Sequence, residues 1–135
     1  MKVVLLVCAE STLLDANSNR VSLINVYDEI SSPQFPFLTP LFSVLAVTQK
    51  DDDEEDECSC NVRISLDDNE IFVAPVLINY QGTELHRTII GLQGLVISGP
   101  GTLKIQLLFD GAEIGDWNIP VKQLAPSMVV NGQQA

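Results

Sequence analysis

The chain has 135 residues, which is the usual size of one domain and is long enough to bury about two thirds of its unfolded surface. Eighteen Asp and Glu against seven Lys and Arg give a formal net charge of −11 and a pI near 4.1, which excludes nucleic acid and anionic membranes as partners. Apolar residues make up 46% of the sequence and the mean hydropathy is +0.22, which excludes a disordered acidic chain.

Strand signals dominate along the chain, because short apolar runs are bounded by Gly, Pro, Asn and Asp. The run from Val3 to Ala9 is too short for a transmembrane helix, and Glu10 ends it too soon for a signal peptide, so it predicts a buried first strand. A short helical turn is compatible with residues 12–16. Further strands are predicted near residues 21–29, 41–49, 59–66, 71–80, 84–98 with interruptions, 102–109 and 113–121.

The clearest strands alternate between apolar and polar residues. Residues 62–66 and 102–109 show this period-two pattern, which is typical of half-buried strands. Asp110-Gly111 follows the second of them, and this dipeptide accepts the positive φ angles of a tight hairpin turn. The last two strands are therefore predicted to pair antiparallel.

Proline and glycine mark the connections and the edges. Residues 31–40 hold three prolines and two phenylalanines, which predicts a stiff, extended crossover between sheets. Gly91 and Gly94 predict a bulge or a close backbone approach, and Pro75 and Pro120 predict edges or bends, because proline cannot donate to a ladder.

These elements predict an all-β fold, an antiparallel β-sandwich of about eight strands that is immunoglobulin-like or C2-like, with a β-barrel as the alternative. Residues 1–124 are expected to form a single domain that carries an acidic loop at 50–57. Residues 125–135 are expected to form a loose tail.

The order of segments resembles a known family. The segments "LLVCAES", "NRVSLINVYDEISSPQFPFLTPLFSVLAV", "DDNEI", "TIIGLQGLVISGPGTLKIQLLFDGAEI" and "WNIPV" are similar to a widespread prokaryotic family of small, mostly β proteins with no assigned function, a domain of unknown function. The resemblance covers nearly the whole chain. It implies a cytoplasmic β-sandwich and supplies no activity and no site residues.

Seven consecutive carboxylates form the most conspicuous feature of the sequence. They are Asp51, Asp52, Asp53, Glu54, Glu55, Asp56 and Glu57. No Gly or Asn provides the sharp turn that would converge them on Ca²⁺, and their mutual repulsion in water is small, so an extended, solvated and mobile loop is expected. A docking site for a basic partner and weak cation binding are the alternatives.

The cysteines and the single histidine formally compose a zinc set. Cys8, Cys58, Cys60 and His86 are its members, but one residue between two cysteines is too few for a zinc knuckle. The odd number of cysteines and this spacing disfavour disulfides and indicate a reducing cytoplasm. Reduced thiols packed in or beside the sheet are expected, with no metal and no other cofactor.

Catalytic signals are weak. His86 is expected to share one strand face with Glu84, opposite Leu85 and Arg87, without a catalytic partner. The sequence has no nucleophile elbow and no phosphate-binding loop. The remaining carboxylates, which cluster at predicted hairpin turns, are interpreted as turn formers: Asp67, Asp68, Glu70, Asp110, Glu113 and Asp116.

A non-catalytic interaction or accessory module is therefore the preferred functional hypothesis. Its binding surface is expected at Phe35, Phe37 and Trp117, at the acidic run or at a sheet edge, and its partner is another protein or a second copy of the chain. The alternative for Phe35, Phe37 and Trp117 is that their side chains fill one end of the hydrophobic core. A module that binds a small ligand or Ca²⁺ through Asp67, Asp68, Asp110 and Asp116 is the alternative, and an enzyme is the third hypothesis.

Overall fold

The computed structural model describes residues 1–125, which form eleven β-strands and no helix. The strands are β1 (Lys2–Leu14), β2 (Val21–Val26), β3 (Ile30–Ser32), β4 (Phe37–Leu38), β5 (Phe42–Gln49), β6 (Glu57–Leu66), β7 (Asn69–Asn79), β8 (Leu85–Leu92), β9 (Val96–Ile97), β10 (Gly101–Phe109) and β11 (Ala112–Gln123). None of the described residues belongs to a helix that could cross a membrane. The predicted loose tail lies, apart from Ala125, outside the described residues.

The strands form several sheets, and one of these is curled into a half-barrel. Sheet A has four strands in the order β2-β1-β5-β8, and sheet B has five in the order β3-β11-β10-β6-β7. A third, two-stranded sheet pairs β4 with β9. The all-β prediction is confirmed. The strand count exceeds the predicted eight, because the crossover contributes β3 and β4 and the predicted strand at 84–98 divides into β8 and β9.

Alternating side chains of sheets A and B meet in one hydrophobic core. Cys8 and Val44 enter it from sheet A, and Ile64, Ile105 and Ile119 enter it from sheet B, all of them fully buried. The polar residues between them face outward, so the alternation along 62–66 and 102–109 placed these strands correctly. The apolar run from Val3 to Ala9 lies within β1, so the predicted strand is confirmed, but only Leu6 to Ala9 are buried, and Val4 and Leu5 are exposed.

The C-terminal hairpin forms as predicted. Asp110 and Gly111 have φ angles of 52° and 78°, and two positive φ angles in succession give a two-residue turn whose twist matches that of the paired strands. β10 and β11 pair antiparallel on either side of this turn.

The crossover passes from sheet A to sheet B and back. Although its prolines predict an unpaired extended segment, parts of it form hydrogen-bonded strands. β3 joins sheet B by pairing in parallel with the end of β11, and β4 pairs with β9. Between these short strands the Phe35–Pro36 peptide bond is cis. Thr39 fixes the end of the crossover, because its backbone N–H donates to Leu95 O at 2.9 Å and its hydroxyl accepts from Leu95 N at 2.8 Å.

The prolines and glycines have distinct positions. Pro75 lies in β7, at an edge of sheet B as predicted, and Pro120 precedes the first residue of β11 that pairs with β3. A Cβ at Gly94 would lie 2.6 Å from the carbonyl oxygen of Thr39, so the predicted close approach is present. The same expectation is wrong for Gly91, which sits in an unbroken register with β5 and has open space around it.

The expected helical turn at residues 12–16 is also wrong. Residues 12–14 continue β1, because they pair with β2, and a turn at 16–18 connects the two strands. Asp15 holds this turn through its side chain, whose Oδ1 accepts a hydrogen bond from Asn17 N at 2.8 Å. An Asp side chain that accepts a hydrogen bond from the backbone two residues later favours a turn over a helix.

Candidate functional site

The aromatic residues that the sequence marked as a binding surface pack against the core. Phe35 and Phe37 of the crossover and Trp117 of β11 are each half-buried against it. The indole Nε1 of Trp117 donates to the backbone oxygen of Tyr27 at 2.9 Å. The ring of Tyr27 stacks on Phe42 with centroids 4.9 Å apart. These contacts give the three aromatics a packing role, and their role in binding stays a prediction.

The acidic run is folded into a turn, so the expectation of an extended segment is wrong. Asp51 N donates to Glu54 Oε1 at 2.8 Å, and Glu54 N donates to Asp51 O at 3.0 Å. The ammonium group of Met1 lies 2.8 Å from Asp51 Oδ2 and 2.6 Å from Glu54 Oε1. The hydrogen bond from this ammonium is the main cause that lowers the pKa of Asp51. Opposite charges brought from distant parts of the chain thus offset the repulsion within the run.

The far end of the acidic run is tied to the turn between β7 and β8. Lys50 Nζ lies 2.8 Å from Asp56 Oδ1, and Gly82 N donates to Asp56 Oδ2 at 3.1 Å. The hydrogen bond from Lys50 is the main cause that lowers the pKa of Asp56. The acidic loop is therefore part of the folded framework, and binding of a basic partner or a cation there stays a prediction.

The turn carboxylates do not converge, so a shared ligand site at Asp67, Asp68, Asp110 and Asp116 is wrong. Because β6 and β10 are antiparallel and Leu66 lies opposite Leu103, Asp67 lies beside the start of β10. Asp110 follows the other end of β10. The interpretation of Asp67, Asp68 and Asp110 as turn formers agrees with their φ angles of 46°, 71° and 52°.

The three cysteines are free thiols that lie in or beside the sheets. Burial raises the pKa of Cys8 to about 12 and that of Cys60 to about 11. Burial also raises the pKa of the half-buried Cys58. Within residues 1–125, no three His, Cys, Asp or Glu side chains are grouped so that they could hold a metal ion, so the hypothetical zinc set does not assemble.

His86 lies on the core side of β8, and Leu85 and Arg87 are exposed on the opposite side, as the alternation predicted. Its Nδ1 lies 3.1 Å from the hydroxyl oxygen of Thr88, and its ring meets the edge of Tyr80 with centroids 6.0 Å apart. Burial lowers the pKa of His86, because the imidazolium form loses hydration there.

The outer face of sheet A, which points away from the core, is apolar across β1, β5 and β8. Val7, Leu45 and Ile89 lie opposite one another in the register, and the next row is Leu5, Val47 and Arg87. The outer face of sheet B carries charged pairs instead, such as Arg63–Glu70 and Lys104–Glu113.

A hairpin arm, residues 10–26, folds back over this apolar outer face. The hydroxyl oxygens of Thr12 and Ser43 lie 2.8 Å apart, and Arg87 Nη2 donates to Asn19 O at 3.1 Å. Val7 and Leu45 are 5% and 3% exposed although they point away from the core, because the arm covers them. The arm thus turns an open sheet face into a sheltered groove beside β8.

Two cavities lie in this groove, one at each end of β8. The polar cavity, of about 380 Å³, is at the start of β8 and is named for Asn19 of the arm, for Gln81 and Thr83 of the turn before β8, and for Arg87 in its lining. Apolar and aromatic side chains complete the lining, among them Val47, Leu85, Tyr80 and His86. The apolar cavity, of about 330 Å³, is at the end of β8. Its lining includes Leu13, Leu41, Ile89, Gly91 and Leu92.

β8 also stands out among the four edge strands of sheets A and B. β7 contains Pro75, β3 is three residues long, and β2 contains Asn25 with a φ of 55°, all of which are features that obstruct pairing with another strand. β8 runs for eight residues with no proline, no positive φ angle and no register shift. It is therefore the edge best suited to accept an additional strand.

Sequence reasoning named a sheet edge as one possible binding surface but did not identify β8. The alternating pattern of residues 85–90 was visible, and so was the lack of proline. The edge position depends on the order of strands in sheet A, and the groove depends on the fold of the arm, which no local pattern encodes.

The geometry combines a groove, two cavities and an open strand edge, and none of it specifies a reaction. No curated protein matches this chain. A family model does match it, over residues 4–122, which is nearly the whole of the described chain. The chain therefore belongs to DUF6941, a family of unknown function.

Proposed function

We propose that this protein is a non-catalytic interaction module, built on a two-layer β-sandwich, that binds an extended segment of a partner protein along β8. The partner segment would add a fifth strand to sheet A, with main-chain hydrogen bonds supplying affinity and the two cavities supplying specificity. The observation that carries this proposal is that β8 is the long edge strand without any of the devices that obstruct pairing at β2, β3 and β7.

The side chains along the groove are consistent in type and exposure with the binding of a peptide. Leu85 and Ile89 are 52% and 41% exposed on an otherwise strongly acidic protein. Both cavities lie near the lower end of the range for ligand sites, about 300–1,000 Å³, which suits single side chains or chain ends better than a large cofactor. The proposal therefore includes no cofactor.

The remaining chemistry supports a role without catalysis. Within residues 1–125, the single histidine has Thr88 as its hydrogen-bonded side-chain partner, and no carboxylate orients its ring as a general base requires. Cys8 and Cys60 are buried with raised pKa values, so they are poor nucleophiles. Three free thiols are also the reason that we propose a cytoplasmic location.

The test is a selection of peptides of about ten residues from a random library displayed with free carboxyl ends, using the full chain as bait. The affinity of the selected peptides is then measured by fluorescence anisotropy, and amide hydrogen exchange locates the bound segment. Ile89→Lys places a charge on the outer face of β8, and Val73→Lys is the matched control, because Val73 is 49% exposed on the edge strand β7.

Protection of residues 85–92 by the peptide, with affinity lost in Ile89→Lys and kept in Val73→Lys, is the expected result. The proposal is wrong if no peptide is selected, if protection falls on other strands, or if both variants bind equally well. Circular dichroism of both variants checks that each remains folded.

A further inference from the structure

We propose that the polar cavity at the start of β8 binds the C-terminal carboxylate of the partner segment, which lies antiparallel to β8. This inference rests on the proposed function and deepens it, because it fixes both the direction of the bound strand and the chemistry of its end.

Arg87 supplies the charge that a carboxylate needs. Among the residues that the structure describes, Arg63 and Lys104 on the outer face of sheet B pair with Glu70 and Glu113, whereas Arg87, like Lys2 of β1, forms no ion pair. A guanidinium carries five N–H donors, and the one hydrogen bond from Arg87 goes to the backbone oxygen of Asn19. Donors therefore remain for a carboxylate, in the planar geometry that favours two parallel hydrogen bonds.

The walls of the polar cavity favour a chain end over an internal residue. The arm supplies Asn19 on one side, and the turn between β7 and β8 supplies Gln81 and Thr83 on the other. The hydrogen bond from Arg87 to Asn19 joins β8 to the arm at this point. A strand lying beside β8 meets these walls at the start of β8, so its chain ends there.

The charge of Arg87 also decides the direction. A parallel strand would begin beside Arg87 and bring its ammonium group to the guanidinium, which is repulsive. An antiparallel strand ends there and brings its carboxylate. Antiparallel pairing is in addition slightly more stable for each residue.

The second cavity fits the same arrangement. Gly91 lines the apolar cavity and lies on the same side of β8 as Arg87, four positions further along the strand. At roughly 3.3 Å per residue, this places the apolar cavity about 13 Å from the carboxylate. We therefore expect an apolar side chain about four residues before the C-terminus of the bound segment.

Glu84, which lies between the lining residues Thr83 and Leu85, is exposed and has no ion-pair partner among the described residues, whereas two other acidic residues near the polar cavity have partners. Asp56 pairs with Lys50, and Glu57 Oε1 accepts from Asn79 Nδ2 at 3.4 Å. At physiological salt the screening length is about 8 Å, so the rest of the net charge of −11 acts only weakly on a carboxylate in contact with Arg87.

The test compares each selected peptide as its free acid and as its C-terminal amide. We expect amidation to weaken binding by about tenfold or more, because it removes a charge-assisted hydrogen-bond acceptor. Arg87→Gln should abolish this difference. Lys104→Gln should preserve it, because it removes the same charge from the outer face of sheet B.

The outcomes separate this inference from the proposed function. If acid and amide bind equally and both protect residues 85–92, strand addition stands and the carboxylate site is refuted. If no peptide protects β8, the proposed function itself fails. If Arg87→Gln and Lys104→Gln reduce the preference for the acid equally, the effect is one of net charge and the assignment to Arg87 is wrong.

Discussion

Trp117 and Tyr27 join sheet B to the segment that follows β2, because the indole Nε1 of Trp117 donates to the backbone oxygen of Tyr27 across 90 positions of sequence. Tyr27 is 8% exposed, so water has little access to replace this donor. The ring of Tyr27 stacks on that of Phe42, and both belong to the hydrophobic core. The hydrogen bond therefore fixes the end of the hairpin arm to the rest of the protein.

Replacing Trp117 with Phe should lower the free energy of unfolding by about 1–3 kcal/mol, because the Tyr27 carbonyl keeps its position and loses its donor. Urea denaturation followed by circular dichroism measures the change without relying on the deleted fluorophore. An unchanged unfolding midpoint would show that the contact contributes nothing to stability.

Gly101 should not tolerate alanine. Its φ angle is 153°, and an added Cβ would collide with the carboxylate of Asp67, whose Oδ1 also accepts from Thr102 N at 2.9 Å. Gly101→Ala is expected to cost about 1–3 kcal/mol of folding free energy. Gly99→Ala is the control, because a Cβ there meets no atom within 4 Å. Equal melting temperatures for the two variants would contradict this account.

The native protein should react slowly with a thiol reagent at pH 8. Burial raises the pKa of Cys8 to about 12 and of Cys60 to about 11, so almost no thiolate is present at either position, and the packed core blocks access. Cys58 is half-buried, and its pKa is also raised. We expect at most one slowly reacting thiol in the native state and three after unfolding in urea. If all three cysteines of the native protein react rapidly with the reagent, they are not buried as described.

Acid should weaken the protein partly through Asp56. Its folded-state pKa is lowered, first by the hydrogen bond from Lys50, so the unfolded state binds its proton more readily. This contribution to stability is present above the unfolded pKa of about 3.9 and is lost as the pH falls through the folded pKa. Lys50→Gln should therefore make stability less dependent on pH below about pH 4.

Lys122→Gln serves as the control for the acid titration, because Lys122 forms an exposed ion pair with Glu29 far from the acidic loop. Urea midpoints measured from pH 7 downward give the comparison for both variants. If Lys122→Gln reduces the pH dependence of the urea midpoint below about pH 4 as much as Lys50→Gln does, the loss of stability in acid is due to the net charge of the whole molecule.

Local patterns in the sequence were enough to predict most of the strands. The alternation around Ile64 and Ile105 identified core faces, and Asp110-Gly111 identified a hairpin, because each of these signals depends on neighbours in sequence. The prolines of the crossover obscured β3, since its pairing with β11 is a contact between residues about 90 positions apart.

The candidate site was largely beyond prediction for the same reason. Arg87 and Ile89 are ordinary members of an alternating strand, and only the strand order of sheet A leaves them at an edge. Asn19 reaches Arg87 across 68 positions because the arm folds back, and nothing near either residue signals that contact. The acidic run was misjudged as extended because its stabilising cations, the Met1 ammonium and Lys50, act through the folded framework.

The pairing of β1 with two partners has a consequence for synthesis of the chain. Residues 9–14 of β1 pair with β2, which follows closely, whereas residues 2–9 pair with residues 43–49 of β5. The ribosome therefore releases the apolar segment Val3–Val7 well before its partner strand exists. During that interval this segment has unpaired backbone groups and exposed aliphatic side chains, which makes it prone to aggregation until β5 is synthesised.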